Sequence, residues 1–276
     1  MLERIWGTHT FQTTHYQIRS AKLNGLKREW KVALLSDLHN YKFGKDNETL
    51  LEAIKREQPD TILIAGDMLV GKVGESTDVA EQFVRRLPDI CETYYANGNH
   101  EYRMKIYEEK YGDAYKKYYK ALTESGVRFL ENEKVCMNWD GKEVEIYGLE
   151  IPAKSYQRLN KAVFTKTEME ACLGQADRDK YEVVIAHNPA FVPTYLEWGA
   201  DLILSGHLHG GIIRIPGIGG VITPQFRLFP KYSGELTEEG EASVVVSRGL
   251  GTHTIPVRVM NQAEFIVLHI GGKEET

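Results

Sequence analysis

The sequence predicts an α/β layered fold in which two β-sheets pack together. Short apolar runs bounded by polar residues, KVALLS (31–36), TILIAG (61–66), EVVIA (182–186) and DLILS (201–205), have the length of buried strands rather than of helices. Segments with helical spacing lie between several of them. The last part is Gly-rich (GGIIRIPGIGG) and then strand-rich, with ASVVVS (242–247) and AEFIVLHI (263–270). Strand–helix alternation followed by contiguous strands is the pattern of a layered sheet fold.

Taken in order, THYQIRSAKL alternates polar and apolar residues and predicts an opening strand. NETLLEAIKRE (47–57) places Leu50, Leu51 and Ile54 on one helical face and stops before Pro59. A helix through VAEQFVRRL (79–87), a polar strand at TYYAN (93–97) and a long Tyr- and Lys-rich helical stretch over 101–124 follow. Asp140-Gly141 between two alternating segments predicts a hairpin over 134–150. Residues 152–180 are polar and helical around TKTEMEACLG, placed to cap a site or to form a surface insertion. NPAFVPTYLEWG gives a further helix. No linker or repeat divides the chain, so 1–276 reads as one domain with a cap insertion at 152–180.

Lys+Arg 34 against Asp+Glu 39 gives a net charge of −5, which argues against a surface that coats nucleic acid. Three scattered cysteines (Cys91, Cys136, Cys172) form no CxxC pair, which points away from a disulfide framework and towards a reducing, cytoplasmic setting. The opening MLERIWGTHT holds no apolar run of signal-peptide or membrane-span length.

Histidine carries the chemical signal. KVALLS is followed by Asp37-Leu38-His39, TILIA by Gly66-Asp67, and TYYA by Asn97-Gly98-Asn99-His100-Glu101. VVIA leads into His187, and LILS into Gly206-His207-Leu208-His209-Gly210. Carboxyl ends of strands in such folds gather at one edge, where ligands bind. His, Asp and Asn are the donors that borderline divalent metals prefer. Asp37/His39 and His207/His209 are i, i+2 pairs, which share a side where the chain is extended. Glycines at 66, 98, 206, 210 and 211 suit tight turns and close backbone approach. Singly, each residue has a plainer reading. Asp37 and Asp67 suit helix caps, Asn99 a turn, and His187 a satisfied core position. Five strand-like runs ending the same way are not explained by such roles.

In that order, D-x-H, G-D, G-N-H-E, a lone His and G-H-x-H resemble the signature of calcineurin-like metallophosphoesterases, over about residues 30–270. GHLHGGIIRIPGIGG followed by SRGLGTHTIPVRV is similar to a bacterial branch of membrane- or cell-wall-associated enzymes that includes relatives of UDP-2,3-diacylglucosamine hydrolases. The resemblance implies a four-layer αββα sandwich of two mixed β-sheets flanked by helices. It implies two divalent ions (Mn, Fe or Zn), one held by Asp37, His39 and His209, the other by Asn99, His187 and His207, with Asp67 bridging both. A metal-bridging hydroxide would attack phosphorus in a phosphodiester or pyrophosphate bond. His100 is the implied catalytic residue, donating to the leaving oxygen or stabilising transition-state charge. Glu101 is expected to orient a histidine from behind.

The implied substrate is a small phosphorylated molecule, a nucleotide-sugar or lipid-linked, with peripheral membrane contact and no obligate protein partner. Alternatives on the same residues are a phosphomonoesterase, a nuclease, or a non-catalytic metal-binding interaction module. His9, His15, His253 and His269 fall outside the pattern, though His253 and Arg248 lie in the SRGLGTH segment.

Overall fold

Alternate residues along the central strands enter different cores, and this builds the layers. The computed structural model describes residues 10–152, 155, 163–211, 213–215, 219–222, 230–252 and 258–273. Six strands, β1 (Phe11–Ser20), β2 (Trp30–Leu35), β3 (Thr61–Ile64), β4 (Glu92–Tyr95), β5 (Arg128–Phe129) and β14 (Ala263–Gly272), form one mixed sheet in the order β1-β14-β2-β3-β4-β5. The second mixed sheet has the order β12-β13-β9-β8-β7-β6. Its strands are β6 (Glu133–Trp139), β7 (Lys142–Leu149), β8 (Tyr181–Ala186), β9 (Leu202–Ser205), β12 (Leu236–Glu239) and β13 (Ala242–Val246). A short ribbon pairs β10 (Ile213–Ile215) with β11 (Gly219–Ile222).

Val32, Leu34, Leu63, Tyr94 and Leu268 point inward against Val144, Ile146, Val183, Ile185, Leu204 and Val245 of the second sheet. Their neighbours Ala33, Leu35, Ile62, Ile64 and Tyr95 face the other way, onto the helices Glu48–Glu57, Asp78–Val84 and Ala114–Glu124. Tyr147, Leu149, Val184 and Ile203 pack outward against the helices Lys166–Leu173 and Val192–Trp198. The result is helix, sheet, sheet, helix: the four layers expected.

One expectation changes. The stretch 101–124 is three helices, Asn99–Ile106, Glu108–Tyr111 and Ala114–Glu124, because Tyr107 is non-helical (ψ 55°) and Gly112 turns the chain at φ 61°. Of the insertion at 152–180, residues 153–154 and 156–162 lie outside the described residues. Residues from 163 onward join the outer layer, with Phe164 and Met169 buried against the second sheet. The hairpin forms as read, with Asp140 and Gly141 at φ 50° and 89° in its two-residue turn. Among the described residues no helix is long and apolar enough to cross a membrane.

Candidate metal centre

β2, β3 and β4 run parallel in the first sheet, and β8 and β9 run parallel in the second. Their carboxyl ends therefore lie side by side, and the loops leaving them interlock across the sheets. Asp37 N–H donates to Gly66 O (3.0 Å) and His39 N–H to Asp67 O (3.1 Å). His207 N–H reaches the Asp37 carboxylate (3.1 Å), and the His187 ring donates from Nδ1 to Ala65 O (2.6 Å). The glycines are there because the loops touch. A Cβ on Gly66 would collide with the backbone of Gly98, and one on Gly206 with Ser36 Oγ and Asp37 Oδ2.

The i, i+2 pairs do not converge through extended backbone, as their spacing suggested. Asp37 (φ 53°), His39 (48°), Asp67 (55°), His207 (72°) and His209 (52°) are all left-handed. Side chains from successive residues are swung to a common point by tight turning. Non-glycine residues adopt this conformation only when surrounding contacts over-determine it, and such residues concentrate at functional sites.

Two groups of donor atoms result, each with atoms within 4.8 Å of one another: Asp37, His39 and His209, and Asp67, His187 and His207. A third, His39, Asp67 and His100, joins them. Asp67 Oδ2 stands 3.0 Å from His187 Nε2 and 3.9 Å from both His39 Nε2 and His100 Nε2. Asp37 Oδ1 lies 3.4 Å from His209 Nε2 and 3.7 Å from His39 Nε2. Asn99, which belongs to none of these groups, sits at the start of the helix that also carries His100.

Burial alone would raise the pKa of both carboxyls, but the imidazoles outweigh it: His209, His187 and His39 hold Asp37 low, and His187, His100 and His39 hold Asp67 well below its usual range. Burial works against a charged His187, yet Asp67 and Asp37 push it up to about 10. Burial, reinforced by the charge of His187, takes His207 down to about 4, and burial takes His209 to about 3.

These residues fit a metal. With Nδ1–H spent on Ala65 O, a neutral His187 aims its Nε2 lone pair at a carboxylate oxygen 3.0 Å away, and that nitrogen makes no well-directed hydrogen bond. Two acceptors so placed suit a cation between them. Asn99 Oδ1 is likewise a buried acceptor without a donor. His209 Nδ1 is turned to Gly251 O (3.2 Å), leaving Nε2 for the centre. Ring nitrogens fixed from behind by carbonyls are the usual outer arrangement of metal-binding histidines.

Glu101 grips main chain beside the centre. Its Oε2 accepts from the backbone N–H of Asp67 (2.9 Å) and Gly98 (3.0 Å). Oε1 accepts from Met68 (2.9 Å), Leu69 (3.3 Å) and the Tyr95 hydroxyl (2.8 Å). It therefore holds the loop that bears Asp67. His100 Nδ1 accepts from Gly71 N–H (2.8 Å), with the Arg103 guanidinium 3.4 Å away. A neutral His100 consequently carries its proton on Nε2, the nitrogen facing Asp67. Sequence reading missed Gly71, Arg103, Arg258 and Asn261, whose contacts no local spacing announces. His15 and His269 pair with each other on β1 and β14 (3.1 Å), apart from the centre. His9 and His253 lie outside the described residues.

The Calcineurin-like phosphoesterase family model matches residues 31–211, which span every strand end described above. The chain belongs to that family. Among its relatives, the uncharacterized metallophosphoesterase YkuE of Bacillus subtilis is 24% identical over 94% of this chain and 85% of its own. An uncharacterized metallophosphoesterase of Aquifex aeolicus is 26% identical over 96% of this chain and 94% of its own. In fold, the chain resembles the phosphopantetheinyl hydrolase of Mycobacterium tuberculosis, with a TM-score of 0.52 and 17% identity over 79% of this chain and 89% of that one. As a calcineurin-like phosphoesterase, the chain is a metal-dependent phosphoester hydrolase.

Proposed function

We propose that this phosphoesterase is dinuclear and hydrolyses a phosphodiester or pyrophosphate bond in a small phosphorylated molecule, a nucleotide-sugar or lipid-linked phosphate. Asp37, His39 and His209 would hold one divalent ion, and Asn99, His187 and His207 the other, with Asp67 serving both. The observation that carries this reading is the position of Asp67 Oδ2, which faces His187 and His39, members of the two different donor groups. The nitrogen and oxygen donor set suits Mn, Fe or Zn. Divalent ions held by these residues would supply a deprotonated water near neutral pH and neutralise charge on phosphoryl oxygens.

The chain's own residues supply orientation and a hydrogen-bond donor. The His100 backbone N–H donates to Asp67 Oδ1 (2.8 Å), which fixes the carboxylate and leaves Oδ2 for the centre. His100 Nε2–H is held on the inner side by the Gly71 N–H behind the ring. A neutral imidazole of this tautomer donates a hydrogen bond to charge developing on a phosphoryl or leaving oxygen, which supports the stabilising role over full proton transfer. The net charge of −5 supports a small substrate over long nucleic acid.

Elemental analysis of the purified chain, with a panel of p-nitrophenyl monoester and diester, a nucleotide-sugar, a phospholipid and single-stranded DNA run with Mn²⁺, tests the reading. About two ions per chain and preferred cleavage of diester or pyrophosphate is the expected result. Preferred monoester or DNA cleavage would overturn the bond class. Less than one ion per chain and no turnover with Mn²⁺ would instead indicate a non-catalytic binding module.

A further inference from the structure

Arg258 is 2% exposed, and among the described residues it makes no ion pair with a carboxylate. A buried guanidinium is costly unless its donors are matched. Its partners are three backbone carbonyls of one turn: Arg248 O (2.8 Å), Gly249 O (3.1 Å) and Gly251 O (2.5 Å). That turn is fastened to the end of β2, through Leu250 N–H on Ser36 O (3.0 Å) and Gly251 N–H on Asp37 O (2.6 Å). The Gly251 carbonyl takes a second donor, the His209 Nδ1–H (3.2 Å). One oxygen with two lone pairs thus receives both Arg258 and His209. Asn261 adds a further tie, its Nδ2 donating to His209 O and Gly211 O at 2.6 Å each. Arg258, Asn261 and the turn at 248–251 lie beyond the residues that the family model matches.

We propose that Arg258 is a positioning residue of the metal centre, aiming the His209 imidazole through the Gly251 carbonyl. The proposal rests on the dinuclear reading for what His209 holds. Three carbonyl oxygens of one turn face the two terminal nitrogens of a single guanidinium. Without the guanidinium they splay, the Gly251 oxygen leaves the line of His209 Nδ1, and the ring loses the contact that presents Nε2 inward. Contacts of this kind behind a metal-binding histidine typically govern 10–100-fold in metal affinity. The effect should fall on the ion served by His209 and spare the one served by His187, whose Nδ1 rests on Ala65 O instead.

The test is a double-mutant cycle on the full chain stripped of metal and titrated calorimetrically with Mn²⁺. Arg258→Gln and Arg258→Lys are each made in the native and His209→Ala backgrounds, with circular dichroism as the check of folding. Arg258→Gln should weaken one Mn²⁺ site roughly 10–100-fold and leave the other unchanged. Arg258→Lys should be intermediate, since an ammonium lacks the planar fork that spans three carbonyls. In the His209→Ala background most of the factor should vanish. An unchanged affinity, or the same factor in both backgrounds, would overturn the proposal, the latter showing a packing role only. Should Arg258→Gln fail to fold, the Lys variant carries the cycle. A native chain that binds a single ion would defeat the dinuclear reading by itself, while the coupling between positions 258 and 209 is still read on the ion that binds.

Discussion

Glu101→Gln is the sharpest perturbation that the structure offers, because Glu101 is wholly buried and all five of its partners are donors. Burial and the nearby charge of Asp67 push its pKa up, yet the donors around it call for the ionised form. A glutamine keeps one oxygen and turns an NH2 towards the other set of donors. In the better orientation, Oε1 is retained and the N–H groups of Asp67 and Gly98 lose their acceptor. Two buried, unsatisfied N–H groups at about 1–3 kcal/mol each give a loss of about 2–6 kcal/mol, a large share of a domain's stability. The same change frees the loop that sets Asp67, so both donor groups should weaken together. Urea unfolding of the metal-free variant reads the first effect, and Mn²⁺ titration reads the second. A stability loss under about 1 kcal/mol with unchanged Mn²⁺ affinity would falsify the claim that Glu101 holds this loop.

The other expectations concern the centre and one group remote from it. Asp67→Ala should remove both ions and the activity, read by elemental analysis and turnover. His100→Ala should keep its metal content and lose roughly 10²–10⁴ in rate on a diester with a poor leaving group; full activity there would end its assigned role. Gly206→Ala places a Cβ against Ser36 Oγ and Asp37 Oδ2, so metal affinity should fall at least roughly tenfold even though the added group is a single methyl. Glu182, pushed up from 4.5 to about 7 by burial and by the charge of Glu145, has a buried oxygen without a donor. Its folded pKa lies above its unfolded one, so its contribution is present below pH 4.5 and is lost as pH rises through about 7. Chemical unfolding of Glu182→Gln at pH 5 and pH 8 should show a smaller loss across that window than the native chain.

How much of this was legible in the sequence depends on the range of the forces involved. KVALLS and TILIAG declared strands because burial on both faces leaves an uninterrupted apolar run. The strand-end donors were legible for the same reason: a polar Asp or His directly after such a run has nowhere to go but the sheet edge. The breaks at Tyr107 and Gly112 were not, since a Lys- and Tyr-rich stretch keeps helical composition across them. Arg258 was invisible because its partners are main-chain carbonyls, and a carbonyl has no letter in the sequence.

The backbone at the centre shows why motif spacing alone misleads about geometry. A left-handed turn costs a non-glycine residue roughly 1–2 kcal/mol, so five such residues store on the order of 5–10 kcal/mol. That is comparable to the whole net stability of a domain, and no local preference of Asp or His supplies it. It is met by contacts from elsewhere: Glu101 on Asp67 N–H, Gly66 O on Asp37 N–H, Asp67 O on His39 N–H, and Asp37 carboxylate on His207 N–H. Each of these joins a donor residue to a different strand end, and the last crosses between the two sheets. The left-handed turns therefore belong to the packed sandwich and not to the short motifs in which they are written. A D-x-H or H-x-H lifted out of this fold would relax to extended chain, and its two side chains would no longer converge on the point they share here.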